Sequence, residues 1–278
     1  MYLLRVLLEQ FLTIPNTSLS IQLLKSLDEY LGLIVEFNSK IEEKKLQEEN
    51  LFNSILDKTK STWLEVKKLT WKQIYSMIEI IPTLQKFFTL SEYNEYFLEE
   101  LLRIIRQNNY QLKMIAALSL CNLLSHNHRT PVKKSYCSKM LALATSECCY
   151  ERISFIFFFK ASLKHFSLEF CCEHDLFVTF IKLGSDKILN IRIRFLKAAK
   201  EVITKLTKDL QCILINQVKE LRKDKVIDVK QLADKIYEEI QEILKSNDEV
   251  QEILRKKNNA KLQRDKELIN LVFNYIMK

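Results

Sequence analysis

The sequence predicts an all-α chain built as a solenoid of stacked helix pairs, about five to six of them. Three observations carry that expectation. Glycine and proline are nearly absent, 2 and 3 among 278 residues, so the positive-φ turns of a strand-rich fold have few residues to make them. Apolar residues recur at helical spacing through most of the chain. A basic residue also returns roughly every forty positions, at Lys72, Lys113, Arg152, Arg192 and Lys230.

Taken in order, residues 1–91 read as irregular helical repeats. The opening MYLLRVLLEQFLTI is apolar but broken by Arg5 and Glu9. Without a basic leader or a small-residue cleavage site it reads as a helix rather than a signal peptide. Residues 36–70 fit the forty-residue period worst and read as long charged helices or an early irregular repeat. Pro82 predicts a helix end at Ile81. Residues 92–242 hold the regular repeats. In each, a first helix closes at a polar residue (Gln107, Glu147, Asp186, Asp224), a short turn follows, and a second helix opens. Asn190 and Asp228 stand where a side chain would accept from the free N–H groups of that second helix. Thr130-Pro131 reads as a cap followed by proline at the first helical position, where its missing N–H is harmless.

The stretch SDKILNIRIRFLKAAKEVI (185–203) shows the second helix most clearly. Ile191, Phe195, Ala198, Ala199 and Val202 form one apolar stripe. Ile193, Leu196 and Ile203 widen it, as a helix packed on two sides requires. Residues 243–278 read as a charged helical cap or tail.

Arg192 enters that stripe one position after it begins. From there a guanidinium can reach the turn aspartate of a neighbouring repeat, or the carbonyls that close its own first helix. Repeated along the chain, this places Lys113, Arg152, Arg192 and Lys230 beside Gln107, Glu147, Asp186 and Asp224, with Lys72 one period earlier. Partly buried charges persist only when paired, so the ladder reads as structural.

The segment from Phe180 to Arg192, with Asp186, Asn190, Ile191 and Arg192 at the matching positions and a small-residue helix after it, resembles the HEAT repeat. The longer run KHFSLEFCCEHDLFVTFIKLGSDKILNIRIRF (164–195) is similar to the HEAT arrays of phosphatase subunits, namely the scaffold A subunit of protein phosphatase 2A and regulatory subunit 4 of protein phosphatase 4. The likeness covers about residues 92–242. It implies a HEAT-type, armadillo-like superhelix acting as a non-catalytic regulatory or scaffolding subunit. The implied partner is a serine/threonine phosphatase catalytic subunit.

In HEAT arrays the second helices line the concave face. Carrying the register of Arg194 and Lys197 back along the chain gives Ser154 and Phe157, then Ile115 and Leu118; carried forward it gives Lys235. Phe157 is therefore a candidate contact, ringed by Lys160, Lys164, Arg194, Lys197 and Lys200. The expected partner surface is acidic and partly apolar. The competing expectation puts Phe155 to Phe159 entirely in the core.

Other chemistries find little support in the sequence. With Gly32 and Gly184 alone there is no Gly-rich phosphate cradle and no GxSxG elbow. Seven cysteines show no disulfide-scaffold spacing and read as reduced thiols of the cytosol, with the nucleus as the other compartment. Cys121, His126, His128 and Cys137 have ligand chemistry, as do Cys171, Cys172 and His174, but neither set has zinc spacing. No cofactor is expected. His165 and Asp175 have no nucleophile placed beside them, and paired acids such as Glu42-Glu43 and Glu238-Glu239 belong to charged helix faces. No run of about eighteen apolar residues would span a bilayer. Net charge is +8, concentrated between residues 101 and 203. That keeps a second reading open, a HEAT protein associated with nucleic acid, chromatin or nuclear transport.

Overall fold

The computed structural model describes residues 57, 61, 70–84, 90–107, 109–126 and 130–246. No strand occurs among the described residues. The helices are α1 Trp71–Leu84, α2 Leu90–Ile105, α3 Tyr110–His126, α4 Thr130–Ala144, α5 Cys149–His165, α6 Leu168–Glu173, α7 Leu176–Leu183, α8 Leu189–Val202 and α9 Lys208–Leu221. A 3₁₀ turn, Ile203–Lys205, follows α8, and α10 covers residues 227–246. The chain packs as two compact units, Met1–Leu183 and Gly184–Lys278, a division that the sequence does not mark. Apart from positions 57 and 61, the segment 1–69 and the tail after 246 lie outside the described residues.

In the first unit α3 is central. It packs against α1, α2 and α5, while α4 packs on α5 and α7 rests on α4, α5 and α6. Ala116 and Ala117 are fully buried on α3, and their small side chains let neighbouring backbones come close. Farther along, the core turns aromatic. Phe155, Phe158 and Phe159 of α5 are buried, and Phe159 stacks on Phe180 of α7 with ring centroids 4.4 Å apart. An α5 that is apolar almost all round is what a helix enclosed on most sides needs.

Pro82 does not end its helix. It lies inside α1, which continues to Leu84. Proline has no N–H to give the carbonyl four residues back, and that carbonyl belongs to the buried Ile78. The neighbouring helix supplies the missing donor: Ser119 Oγ of α3 donates to Ile78 O at 3.2 Å. Ser119 is itself buried, so a polar residue inside an apolar helix has an assigned task. Ser119→Ala should therefore destabilise the protein by about 1–3 kcal/mol, the penalty of a buried carbonyl left unpaired. Pro82→Ala restores the helical N–H and should shrink that loss. A double-mutant cycle in urea checks this, with an expected non-zero coupling between the two sites.

The second unit uses the predicted stripe. Ile191, Phe195, Ala198, Ala199 and Val202 are buried, as are Leu196 and Ile203, while Ile193 is half-buried. On α10 the buried residues Val229, Ala233, Ile236 and Ile240 recur at the same helical spacing. Gly184 serves close approach rather than a left-handed turn, since its φ is not positive. A Cβ on Gly184 would stand 2.7 Å from Gln217 Cγ of α9 and 3.0 Å from the Phe195 ring.

Two expectations about helix ends need correcting. Gln107, Glu147, Asp186 and Asp224 do not close the first helices; each lies in the turn after them. Asn190 and Asp228 are not caps, because each is already the second residue of its helix. The N-cap of α8, Ile188, makes no side-chain cap bond; the acids four residues before Asn190 and Asp228 instead brace the turn ahead of each helix. Asp186 Oδ1 accepts from Ile188 N at 2.8 Å, and Asp224 Oδ1 accepts from Val226 N at 2.9 Å. In the α4–α5 turn Ser146 Oγ plays the same part, accepting from Cys148 N at 3.1 Å. At α3 the cap is Asn109, whose Oδ1 accepts from Gln111 N at 2.9 Å and Leu112 N at 3.1 Å.

Candidate partner-binding surface

Lys113, Arg152, Arg192 and Lys230 each occupy the fourth position of their helix, in α3, α5, α8 and α10. A helical side chain leans toward the N-terminus of its own helix, so a long cation there points back at the turn behind it. Arg152 Nη1 donates to Ser146 O at 2.6 Å and to Glu147 O at 2.9 Å. Arg192 Nη1 repeats the contact on Asp186 O at 2.7 Å and Lys187 O at 3.3 Å. Each guanidinium thus satisfies turn carbonyls that no helix can serve.

Arg192 also reaches forward. Its Nη2 donates to Asp224 Oδ1 at 3.0 Å. Nε comes within 2.7 Å of Oδ2, an ion-pair approach that lacks the alignment of a hydrogen bond. Burial pushes the Asp224 carboxyl up, but the Val226 N–H and the Arg192 guanidinium outweigh it and hold the group below its ordinary value.

Lys113 is the extreme member. The residue is 0% exposed, and its Nζ donates to Ile105 O at 2.8 Å, Tyr150 O at 2.9 Å and Ser154 Oγ at 2.5 Å. Ser154 Oγ in turn donates to Ile105 O at 2.7 Å. Burial drives the Lys113 ammonium down to about 8, with Cys148 and Glu151 pulling the other way. One amine therefore joins the end of α2 to the start of α5 through the beginning of α3.

The outer bases of the ladder differ. Lys72 is exposed on the second residue of α1, with Nζ 5.8 Å from the Trp71 ring centre. Lys230 is exposed as well, and so are the side chains of Glu147, Asn190 and Asp228. Seam chemistry is thus seen at Lys113, Arg152 and Arg192, and it runs mainly to backbone carbonyls rather than to the paired turn acids. A repeat count that matches only residue type and spacing cannot see that difference in depth.

The proposed contact residues fall on both units. In the first, Phe157 is half-buried while Phe155, Ile156, Phe158 and Phe159 are buried, so one member of the aromatic run faces outward. Tyr110 meets it edge-on at 6.2 Å, and Lys160 Nζ lies 6.0 Å from its ring centre. Lys164 is exposed one helical turn further on. Ser154 shares the assumed register but does not reach the surface, because its hydroxyl belongs to the Lys113 network. In the second unit Lys197 is exposed and Arg194 half-buried. Lys200 Nζ pairs with Glu239 of α10 at 3.0 Å, which ties part of its charge to the fold. Lys235 is exposed.

Among the described residues α3 packs on α1, α2 and α5, and between Tyr110 and His126 at its ends the residues that are not buried are Gln111 and Met114, exposed, and Ile115, Leu118, Asn122 and Ser125, half-buried. None of them is charged. Lys113, whose charge would normally mark a solvated face, points inward. Met114 is 47% exposed. In sequence α3 is a helix with a single lysine and no acid, a pattern that reads equally as a buried helix.

The cysteines are free thiols among the described residues. Cys121, Cys137 and Cys171 are buried; burial raises Cys137 to about 12 and Cys171 to about 11. Cys121 Sγ donates to Phe158 O at 3.8 Å, and Cys171 Sγ lies 3.6 Å from Ser162 Oγ. These are small core side chains with unreactive thiols. Among the described residues no group of three or more His, Cys, Asp or Glu could hold a metal ion; His128 lies outside them. His174 packs against the Phe170 ring at 4.3 Å. No described helix is long and apolar enough to cross a membrane. No family model matches the chain, and no curated protein matches it.

Proposed function

We propose that this chain is a non-catalytic HEAT-type helical-repeat protein that binds other proteins as a regulatory or scaffolding subunit. The observation that carries the reading is the recurring buried cation. Arg152 and Arg192 hold the same two carbonyls of successive turns, and Lys113 stands at the same helical position. A device repeated at this interval is how an array of helix pairs keeps one geometry from repeat to repeat. Such arrays present long surfaces rather than a closed pocket. The resemblance of residues 164–195 supports a serine/threonine phosphatase catalytic subunit as the partner, in the cytosol.

The experiment is affinity capture of the full chain followed by mass spectrometry, with purified phosphatase catalytic subunits added back. The expected result is a stable complex with one of them at moderate salt. The second reading is association with nucleic acid, favoured by the net charge of +8. Polynucleotide binding that falls steeply with salt, together with no phosphatase complex, would replace the first reading by the second.

A further inference from the structure

Four polar groups meet where α2 ends and α5 begins. Lys113 Nζ donates to Ile105 O at 2.8 Å, to Tyr150 O at 2.9 Å and to Ser154 Oγ at 2.5 Å. An ammonium has three N–H groups and accepts nothing, so this set fills it. The Ser154 hydroxyl has one proton and two carbonyls in reach, Ile105 O at 2.7 Å and Tyr150 O at 3.0 Å. The shorter contact assigns that proton to Ile105 O, one of the carbonyls that the end of α2 leaves without a helical partner. Lys113 and Ser154 are both 0% exposed, so donors and acceptors must balance among these groups. A neutral amine keeps two N–H groups and gains a lone pair. The two N–H groups still serve Ile105 O and Tyr150 O. The lone pair needs a donor, and the Ser154 hydroxyl already stands at bonding distance. By turning its proton from Ile105 O to Nζ, Ser154 satisfies the neutral state as fully as the charged one.

We propose that Lys113 and Ser154 form a proton-operated toggle: when the ammonium loses one proton to solvent, the Ser154 hydroxyl turns from donating to Ile105 O to donating to Lys113 Nζ. The direct bond from α5 to α2 then exists only while Lys113 is charged. Arg152 and Arg192 stand at the same helical position but cannot act this way, because a guanidinium does not release its proton. Burial brings the Lys113 titration down to about 8, so the reversal falls close to neutral pH. Cys148 and Glu151 bear on the amine from the α5 side. Of the other helices against α3, α2 closes with Arg103 and is followed by Arg106, and α1 carries Lys72, Tyr75 and Glu79. The toggle belongs to the seam between helices and operates whatever the partner.

The test follows carbonyl-carbon NMR shifts of the isotope-labelled full chain across the Lys113 titration. The Ile105 carbonyl carbon should move upfield in one step centred at about 8, because its oxygen loses one of two side-chain donors. The Tyr150 carbonyl carbon should move less, since its donors are the same in both states. Lys113→Met should abolish both steps. Ser154→Ala should reduce the Ile105 step to the size of the Tyr150 step. Ser154→Cys, a side chain of similar size with a weak donor, should shrink it in the same sense. Cys148→Ser, at an exposed residue, should leave the step unchanged; it is the control for a thiol that titrates in the same range. An Ile105 carbon that does not move, or a larger step at Tyr150, would overturn the proposal. So would a step that persists in Lys113→Met, disappears in Cys148→Ser, or keeps its wild-type size in the Ser154 variants. Should both Ser154 variants fail to fold, the two wild-type carbonyls compared with Lys113→Met decide alone.

Discussion

Replacing Lys113 by alanine should destabilise the protein by about 3–5 kcal/mol, the largest effect expected of any single truncation. The side chain is fully enclosed. Removing it opens a cavity and withdraws the donor serving Ile105 O and Tyr150 O. Lys113→Met separates the two contributions. It keeps the volume, so the cavity disappears, while the single hydroxyl proton of Ser154, within reach of both Ile105 O and Tyr150 O, can serve only one of the two carbonyls. A loss of about 1–3 kcal/mol is expected for the methionine variant.

The same residue sets a pH signature. The unfolded lysine holds its proton up to the ordinary 10.5, whereas the folded one releases it near 8. Between those values the unfolded state binds more protons, so wild-type stability should gain from this group as pH rises through the window. The gain is at most about 1.4 kcal/mol per pH unit. Lys113→Met lacks the group. The difference between wild type and variant, followed by urea unfolding from pH 7.5 to 10.5, should therefore widen as pH rises. A constant difference would mean that Lys113 keeps an ordinary proton affinity in the fold.

Arg192→Ala should cost about 3 kcal/mol, the low end of what breaking a buried ion pair from one side removes. It strands the Asp224 carboxylate, which is mostly enclosed together with the guanidinium, and it frees two turn carbonyls. Asp224→Ala loses the pair and also the acceptor of the Val226 N–H in the turn before α10. The double variant should lose less than the sum, by about 1–3 kcal/mol of coupling. The acid limb gives an independent check. The Asp224 carboxyl is held below its ordinary 3.8, so its contribution is complete above that value and disappears as pH falls through the folded value. Asp224→Asn should remove that part of the acid-induced loss while keeping most of the shape. Additive losses, or identical acid profiles, would reduce the Arg192–Asp224 pair to an incidental contact.

The helical content, the apolar stripe of α8 and the spacing of the ladder were legible because they are periodic, and periodicity survives in one dimension. Depth is not periodic. Lys72 and Lys113 look alike in sequence, yet one lies on the surface beside Trp71 and the other lies at the meeting of three helices. The helix starts are hidden for a related reason: Asp186 and Asn190 both have capping chemistry, yet the backbone turns helical at Leu189, which leaves Asp186 in the turn and Asn190 inside the helix. By local rules alone Pro82 is a stop. Ser119 lifts the objection from 37 positions away, and no local rule sees it. Register singles out Phe157, which is half-buried beside buried neighbours, while on α3 the single lysine that would mark a solvated face points inward. Residues 36–70, expected to be irregular, fall almost entirely outside the described residues.

The account depends most on Lys113 being interior while its counterparts one and three periods away are not. Brief amine acetylation of the folded chain at pH 8.5, with site occupancy read by mass spectrometry, tests this directly. Lys72, Lys164 and Lys230 should react readily. Lys113 should stay unmodified until the chain is unfolded, even though burial lowers it to about 8 and so leaves much of it as the free amine at that pH. Acetylation of Lys113 at the rate of Lys72 in the folded chain would contradict the account.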